Sequence, residues 1–258
     1  MIKKNKRVKI FCAIVAIGFI ALSIIYVGCT NSNLKDARKY LDKGNLEKAK
    51  YYYEKYFESN SNNKSAIAEY ELLKGNYKKA KELFIEAKIS DYSSKMGRCA
   101  LLLNDFENSL KFYSEAIKSG SENSNDYLEV GFIYFKTGKY EKAKEYFKKA
   151  LLLDPESPNA YLGLGKTCFA RLEYDEAISA YKSAIKYKKD FVEAYVGVGD
   201  VYEFLDQYNS ADESYKNALK YNQKFAKAYL GLSTLKLKQQ KWDESVKYFK
   251  KYEELKDK

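Results

Sequence analysis

From about residue 36 onward, apolar and small residues recur three and four apart in short runs, the spacing of one buried helical face. The pattern is clearest between Ser124 and Ser157. Its first half carries Tyr127, Val130, Gly131 and Tyr134 on one stripe. Its second half carries Tyr140, Ala143, Phe147, Ala150 and Leu151 on another. Gly138-Lys139 separates the halves and Pro155 stops the second, so the stretch predicts two amphipathic helices joined by a tight turn. Two helices this short cannot bury both stripes against each other, so the unit needs neighbours.

The neighbours follow at a fixed interval. A shift of 34 residues recovers Tyr161, Leu164-Gly165, Tyr174, Ala177, Tyr181 and Ala184. The next shift gives Tyr195, Val198-Gly199, Tyr202, Tyr208, Ala211, Tyr215 and Ala218, and a further one gives Tyr229, Leu232-Ser233, Trp242, Ser245 and Phe249. These columns resemble the tetratricopeptide repeat, W-x₂-L-G-x₂-Y…A-x₃-F…P, with Tyr standing for Trp. Earlier in the chain the breaks Gly44-Asn45, Gly75-Asn76 and Asn104-Asp105 lie 31 and 29 residues apart, so the first three units are irregular and the last four regular. The resemblance implies an all-α, right-handed superhelical solenoid over residues 36–258, of about seven helix-turn-helix repeats. They fall near 30–60, 61–89, 90–123, 124–157, 158–191, 192–225 and 226–258. The loop-like Ser119–Asn125 separates the two groups of repeats, and one continuous solenoid is expected.

Each column has a packing reason. Ala37, Ala68, Gly97, Gly131, Gly165, Gly199 and Ser233 are small where a first helix meets its partner, because a large side chain there holds the axes apart. Ala49, Ala80, Ser109, Ala143, Ala177, Ala211 and Ser245 do the same from the second helix. Tyr53, Phe84, Tyr113, Phe147, Tyr181, Tyr215 and Phe249 fill the seam to the next repeat. The 26 tyrosines are therefore mostly core rather than a stacking platform for bases. At the end of the chain the Lys- and Glu-rich Ser245–Lys258 reads as a polar, solvated outer face.

The first 28 residues follow different rules. Lys3, Lys4, Lys6, Arg7 and Lys9 precede Ile10–Val27, 18 residues without a charge, which has the form of a secretory signal and nearly the length of a membrane span. Gly28-Cys29 closes the run in a way that resembles the lipobox of bacterial lipoproteins, departing from it at Tyr26, where Leu is usual. The resemblance implies a signal peptide at residues 1–28, cleaved before a lipidated Cys29, with a polar tether at 29–35. The alternative is an uncleaved inner-membrane signal anchor. Acyl chains contribute about 0.8 kcal/mol per buried CH₂, so several give stable anchoring. Both readings place the repeats at a bacterial cell envelope, on the outer-membrane, periplasmic or surface side for the lipid-anchored form.

Composition removes several function classes. The formal charge is +11, and with five of the 46 basic residues in the N-terminal segment the remainder holds 41 against 35 acids, spread along the helices. That is a solvated surface, not the clustered footprint of a nucleic-acid binder. The chain lacks histidine, and with it His-based triads and His metal ligands. Cys99 and Cys168 read as small buried hydrophobes, and no CxxC spacing occurs. GxGxxG, GxxxxGK[ST] and GxSxG are absent, and the glycines of Tyr161–Gly165 lie inside a helix. No enzyme, metal or cofactor is expected.

The family's concave surface, lined by first helices, implies a groove for a partner peptide or helix. Projection of the face opposite the buried stripe gives Asn125, Leu128, Phe132 and Phe135, then Asn159, Leu162, Lys166 and Phe169. Glu193, Val196, Asp200 and Glu203 follow, then Lys227, Leu230 and Thr234, with Arg98 extending the line. The Phe residues form an apolar slot or pack between neighbouring first helices; the sequence leaves both open. The paired Lys and Asn of the carboxylate-clamping subfamily are missing, with Leu128/Phe132 and Leu162/Lys166 in their places. Two functions fit: an envelope scaffold gathering protein partners, or a surface-displayed lipoprotein binding an extracellular or host ligand.

Overall fold

A computed structural model describes residues 32–58 and 62–256, and every regular element among them is a helix. The expected signal or anchor at 1–28, the expected lipidation site Cys29 and the first part of the tether lie outside the described residues. Among the described residues no helix is long and apolar enough to cross a membrane. The helices are α1 (residues 32–42), α2 (Leu46–Phe57), α3 (Lys64–Leu73), α4 (Tyr77–Glu86), α5 (Tyr92–Leu102), α6 (Phe106–Lys118) and α7 (Ser124–Lys136). There follow α8 (Tyr140–Leu153), α9 (Pro158–Ala170), α10 (Tyr174–Tyr187), α11 (Val192–Phe204), α12 (Tyr208–Tyr221), α13 (Ala226–Lys238) and α14 (Trp242–Leu255). Two boundaries differ from expectation. α1 takes in residues 32–35, because Leu34 packs into the first core cluster and rewards the extra turn. α7 starts at Ser124, where the Asn123 side chain accepts from the Asn125 amide and caps the helix inside the expected loop.

Every hairpin turn is built the same way. One residue sits in the left-handed region: Gly44, Gly75, Asn104, Gly138, Leu172, Asp206 and Gln240, at φ between 56° and 77°. The following amide donates to the carbonyl five residues back, as Lys139 does to Tyr134 and Glu173 to Cys168, both at 2.9 Å, the closure that satisfies a helix C-terminus. Glycine meets this requirement without cost. Leu172 (φ 63°) does not, since an L side chain there costs roughly 1–2 kcal/mol, partly offset by the larger entropy glycine loses on folding. Leu172→Gly is therefore expected to raise stability by about 0.5–1 kcal/mol, read as a higher urea midpoint with unchanged slope.

The chain divides into two compact units, residues up to Phe112 and residues from Tyr113. In the first, Ala37, Ala49, Tyr53, Ala66, Ala68, Leu72, Ala80 and Phe84 are completely buried. Ser109 Oγ donates to the Gly97 carbonyl at 2.8 Å, holding α6 close to α5. Glu69 is buried and fully partnered: the half-exposed Arg38 reaches it through two bonds of 2.9 and 3.0 Å, and the buried Tyr53 hydroxyl through one of 2.8 Å.

The second unit is a succession of hairpins, α7–α8, α9–α10, α11–α12 and α13–α14, each packed on the next. Within it first helices also touch first helices directly, α7 with α9, α9 with α11 and α11 with α13, more closely than second helices touch second helices. First helices therefore form the inner side of this unit. The joints between hairpins turn on three rings. A Cβ on Gly131 would lie 2.8 Å from the Phe147 ring, and one on Gly163, in the following hairpin, 2.4 Å from the same ring. Gly165 and Gly197 grip Tyr181 in the same way at 2.7 and 2.6 Å, and Gly199 and Gly231 grip Tyr215 at 2.6 and 2.5 Å. Each seam ring is thus clasped between a glycine of its own repeat and one of the next, at distances no real Cβ tolerates.

The last hairpin departs from the expected polar outer face. Trp242, Val246 and Phe249 on α14 are 63, 54 and 46% exposed, an apolar stripe at positions i, i+4 and i+7. Trp242 and Phe249 occupy the columns of Tyr208 and Tyr215, and among the described residues no further helix lies over them. The repeat carries its column pattern through to α14, which the abundance of Lys and Glu in the same helix conceals.

Candidate partner-binding groove

On the inner side of the second unit, α9, α11 and the start of α13 enclose an open cavity of about 260 Å³. Seven of the residues projected from the sequence meet there: Phe135, Lys166, Phe169, Glu193, Val196, Asp200 and Lys227. Phe225, Tyr181, Gly197 and Ala170 complete the lining. Gly197 matters twice, since the bare backbone that admits the Tyr181 ring also leaves the cavity floor open.

The other projected residues sit elsewhere. Asn125 and Asn159 are exposed on α7 and α9 and do not line the cavity. Leu128 and Leu162 are only 6–7% exposed, packed where first helices adjoin. Phe132 stands edge-on to the Phe147 ring at 5.0 Å, so it belongs to the joint. Phe135 rests on Tyr140 of its own hairpin, and Phe169 touches Tyr174 of its own hairpin and Phe204 of the next, so both serve the cavity wall and the packing of the helices. Thr234 returns its hydroxyl to the Leu230 carbonyl at 3.0 Å. Arg98 lies in the first unit, paired with Asp42 at 2.9 Å.

The electrostatics of the cavity centre on Asp200. Its side chain is drawn in beside Tyr215, whose hydroxyl lies 2.8 Å from Asp200 Oδ1 and 2.9 Å from Glu203 Oε2. Glu203 is also held by Lys238 at 3.2 Å. Desolvation pushes the Asp200 carboxyl up to about 6, with Glu203 adding to the rise and the Tyr215 bond and Lys227 opposing it. Lys166 lies lower than an ordinary ammonium because the surrounding protein desolvates it and Lys227 repels it. The cavity thus pairs apolar walls with groups whose charge is only partly compensated.

The sign of the Asp200 effect on stability follows directly. In the unfolded chain the carboxyl titrates near 3.8 and in the fold near 6, so folding takes up a proton between those values and stability falls as pH rises through them. Above about pH 6 the full cost is present; below about 4 it vanishes. Asp200→Asn removes it. After discounting for partial solvent access, the variant is expected to be more stable at pH 7.5 by about 1–2 kcal/mol, with the gain shrinking towards pH 4. Paired urea titrations at the two pH values check both magnitude and trend.

The remaining chemistry-bearing groups are structural. Cys99 and Cys168 are buried and unbridged, and burial pushes both thiols up to about 12. Ligand atoms of Cys168, Glu173 and Glu176 lie within 4.8 Å of one another, but Lys144 Nζ already spans the two carboxylates at 2.6 and 2.7 Å. Arg171 adds a second cation to Glu173 and reaches Glu141 as well. These pairs tie α8 to the turn of the next hairpin.

Hairpins repeated in register, with an inner surface of first helices, define a helical-repeat protein, a fold that typically serves as an interaction scaffold. Residues 134–198 match one tetratricopeptide-repeat model and residues 192–225 a second. No curated protein matches the chain by sequence. Among solved structures, a crystal structure of MamA is 30% identical, with 62% of this chain and 94% of that chain covered, at a TM-score of 0.55. A tetratricopeptide repeat protein from Parabacteroides merdae is 18% identical, covering 88% and 93%, at 0.62. PilW, described as a widely conserved type IV pilus biogenesis factor, is 22% identical, covering 66% and 79%, at 0.60. The chain belongs to the tetratricopeptide-repeat family.

Proposed function

We propose that this protein is a membrane-anchored interaction scaffold of the bacterial cell envelope, taking a partner peptide or helix along the inner side of its second unit. The observation that carries the reading is the convergence of Phe135, Lys166, Phe169, Glu193, Asp200 and Lys227 on one open cavity. Apolar walls with a few placed charges are what an extended segment or amphipathic helix needs from a groove. The anchoring part rests on sequence: a basic start, the uncharged Ile10–Val27 and Gly28-Cys29. In this reading Cys29 carries the lipid, and the repeats stand outside the cytoplasm.

Two measurements test the two halves. A photo-crosslinking residue at position 169 is expected to capture a protein partner in cells, while the same residue at Lys182, on the exposed side of α10, does not. Equal capture from both positions overturns the groove. The mass of the mature N-terminus is expected to begin at a lipidated Cys29; an unmodified chain retaining residues 1–28 replaces the lipid with a signal anchor. Protease treatment of intact cells then separates an internal envelope scaffold, which is protected, from a surface-displayed binder, which is cut.

A further inference from the structure

Asp200 of the cavity lining meets Glu203 and Tyr215 behind it, and both contacts of the phenol close as full hydrogen bonds only if one carboxyl keeps its proton. Tyr215 has a single O–H to donate, yet its oxygen lies within hydrogen-bonding distance of both Asp200 and Glu203. If the phenol donates to Glu203, the contact to Asp200 is satisfied only when Asp200 donates to the phenol oxygen. Glu203 has the better claim to a negative charge, because Lys238 pairs with it at 3.2 Å. Asp200 has no such partner. The groups facing it are Glu193 and Glu203 on its own helix α11, Lys166 on α9, Tyr181 on α10, Tyr215 on α12 and Lys227 on α13. Among the described residues neither Lys166 nor Lys227 forms an ion pair with it, and Lys227 acts on it only at longer range.

Resting on the groove reading above, we propose that partner binding is coupled to proton uptake by Asp200, so that the groove is an acid-favoured docking site. The coupling follows from position. Asp200 lines the open cavity, so a segment seated there removes the water that still reaches its carboxyl. Lys166 and Lys227 already stand in the cavity and repel each other, so the occupant is an apolar segment without a basic side chain at Asp200, and its seating deepens the desolvation of Asp200 and favours the protonated form. By linkage the affinity then falls as pH rises through the titration of Asp200 and levels off above it. The titration of the free protein, near 6, sets the lower edge of that window, and the higher titration of the bound form sets its upper edge.

Two readouts on the whole chain test this. Carbon-detected titration of the Asp200 side-chain carboxyl is expected to show a midpoint well above an ordinary aspartate; a midpoint below about pH 4.5 overturns the proposal. The second readout is binding of a neutral probe, acetyl-Phe-Ala-Phe-amide, followed by the amide shifts of Val196 and Gly197. Its affinity is expected to fall three- to tenfold between pH 5.0 and 7.5 in the wild type and to stay flat in Asp200→Asn. Binding at Gly197 with no pH dependence, or an equal slope in Asp200→Asn, overturns the proton coupling and leaves the groove standing. No shift at either pH overturns both.

Discussion

Phe147→Ala lowers the stability of the unit from Tyr113 onward by about 3–5 kcal/mol, the range for deleting a fully buried aromatic ring. The upper half of that range is expected because the ring is completely buried and held from both sides, by Gly131 and Gly163, and Phe132 stands edge-on to it. Two helix backbones cannot collapse onto the space without breaking the hairpin stack. Urea unfolding followed by far-ultraviolet circular dichroism reads the loss. A second substitution sharpens the test. Gly163→Leu alone is destabilising, but in the Phe147→Ala background its side chain has a cavity to enter, so the two losses fall short of their sum. Additive losses mean that the glycine does not face the ring.

Gly165→Leu is the converse experiment and the second largest effect, at about 3 kcal/mol, the upper end of the range for over-packing. Its Cβ alone would lie 2.7 Å from Tyr181, and that ring cannot retreat, because Gly197 holds it from the next repeat with only 2.6 Å to a notional Cβ. The energy has no soft side chain to absorb it, so the two hairpins must part. A thermal midpoint lowered by roughly 6–12 °C is expected for a unit of this size. An unchanged midpoint shows that the ring has room, contrary to the clasp.

How much of this was legible depended on whether a contact repeats with its own column. Gly131, Gly165 and Gly199 face the helix that follows them in the same hairpin, so period and partner can both be read from sequence. Gly163, Gly197 and Gly231 face the ring of the preceding repeat, and sequence spacing shows only that glycines abound in these helices. The same distinction governs the groove. Residues at the right register converge, as Phe135, Lys166, Phe169, Glu193, Asp200 and Lys227 do. Leu128 and Leu162 share that register but are buried, because neighbouring first helices approach closely enough to cover them. The lowered water access of Asp200 depends on a tyrosine one helix away, and Phe225 enters the lining from a cap position outside any helical face. On α14 the charge-rich composition suggests a wetted face, whereas the column pattern carries Trp242 and Phe249 outward.

A joint made of one ring and two bare backbones asks nothing particular of the rest of either module. Whatever residues the inner wall presents, Phe147, Tyr181 and Tyr215 engage their glycines in the same manner. The lining of each module is therefore free to drift without disturbing its coupling to the next. A new specificity can arise by altering wall residues alone, or by duplicating a module whole.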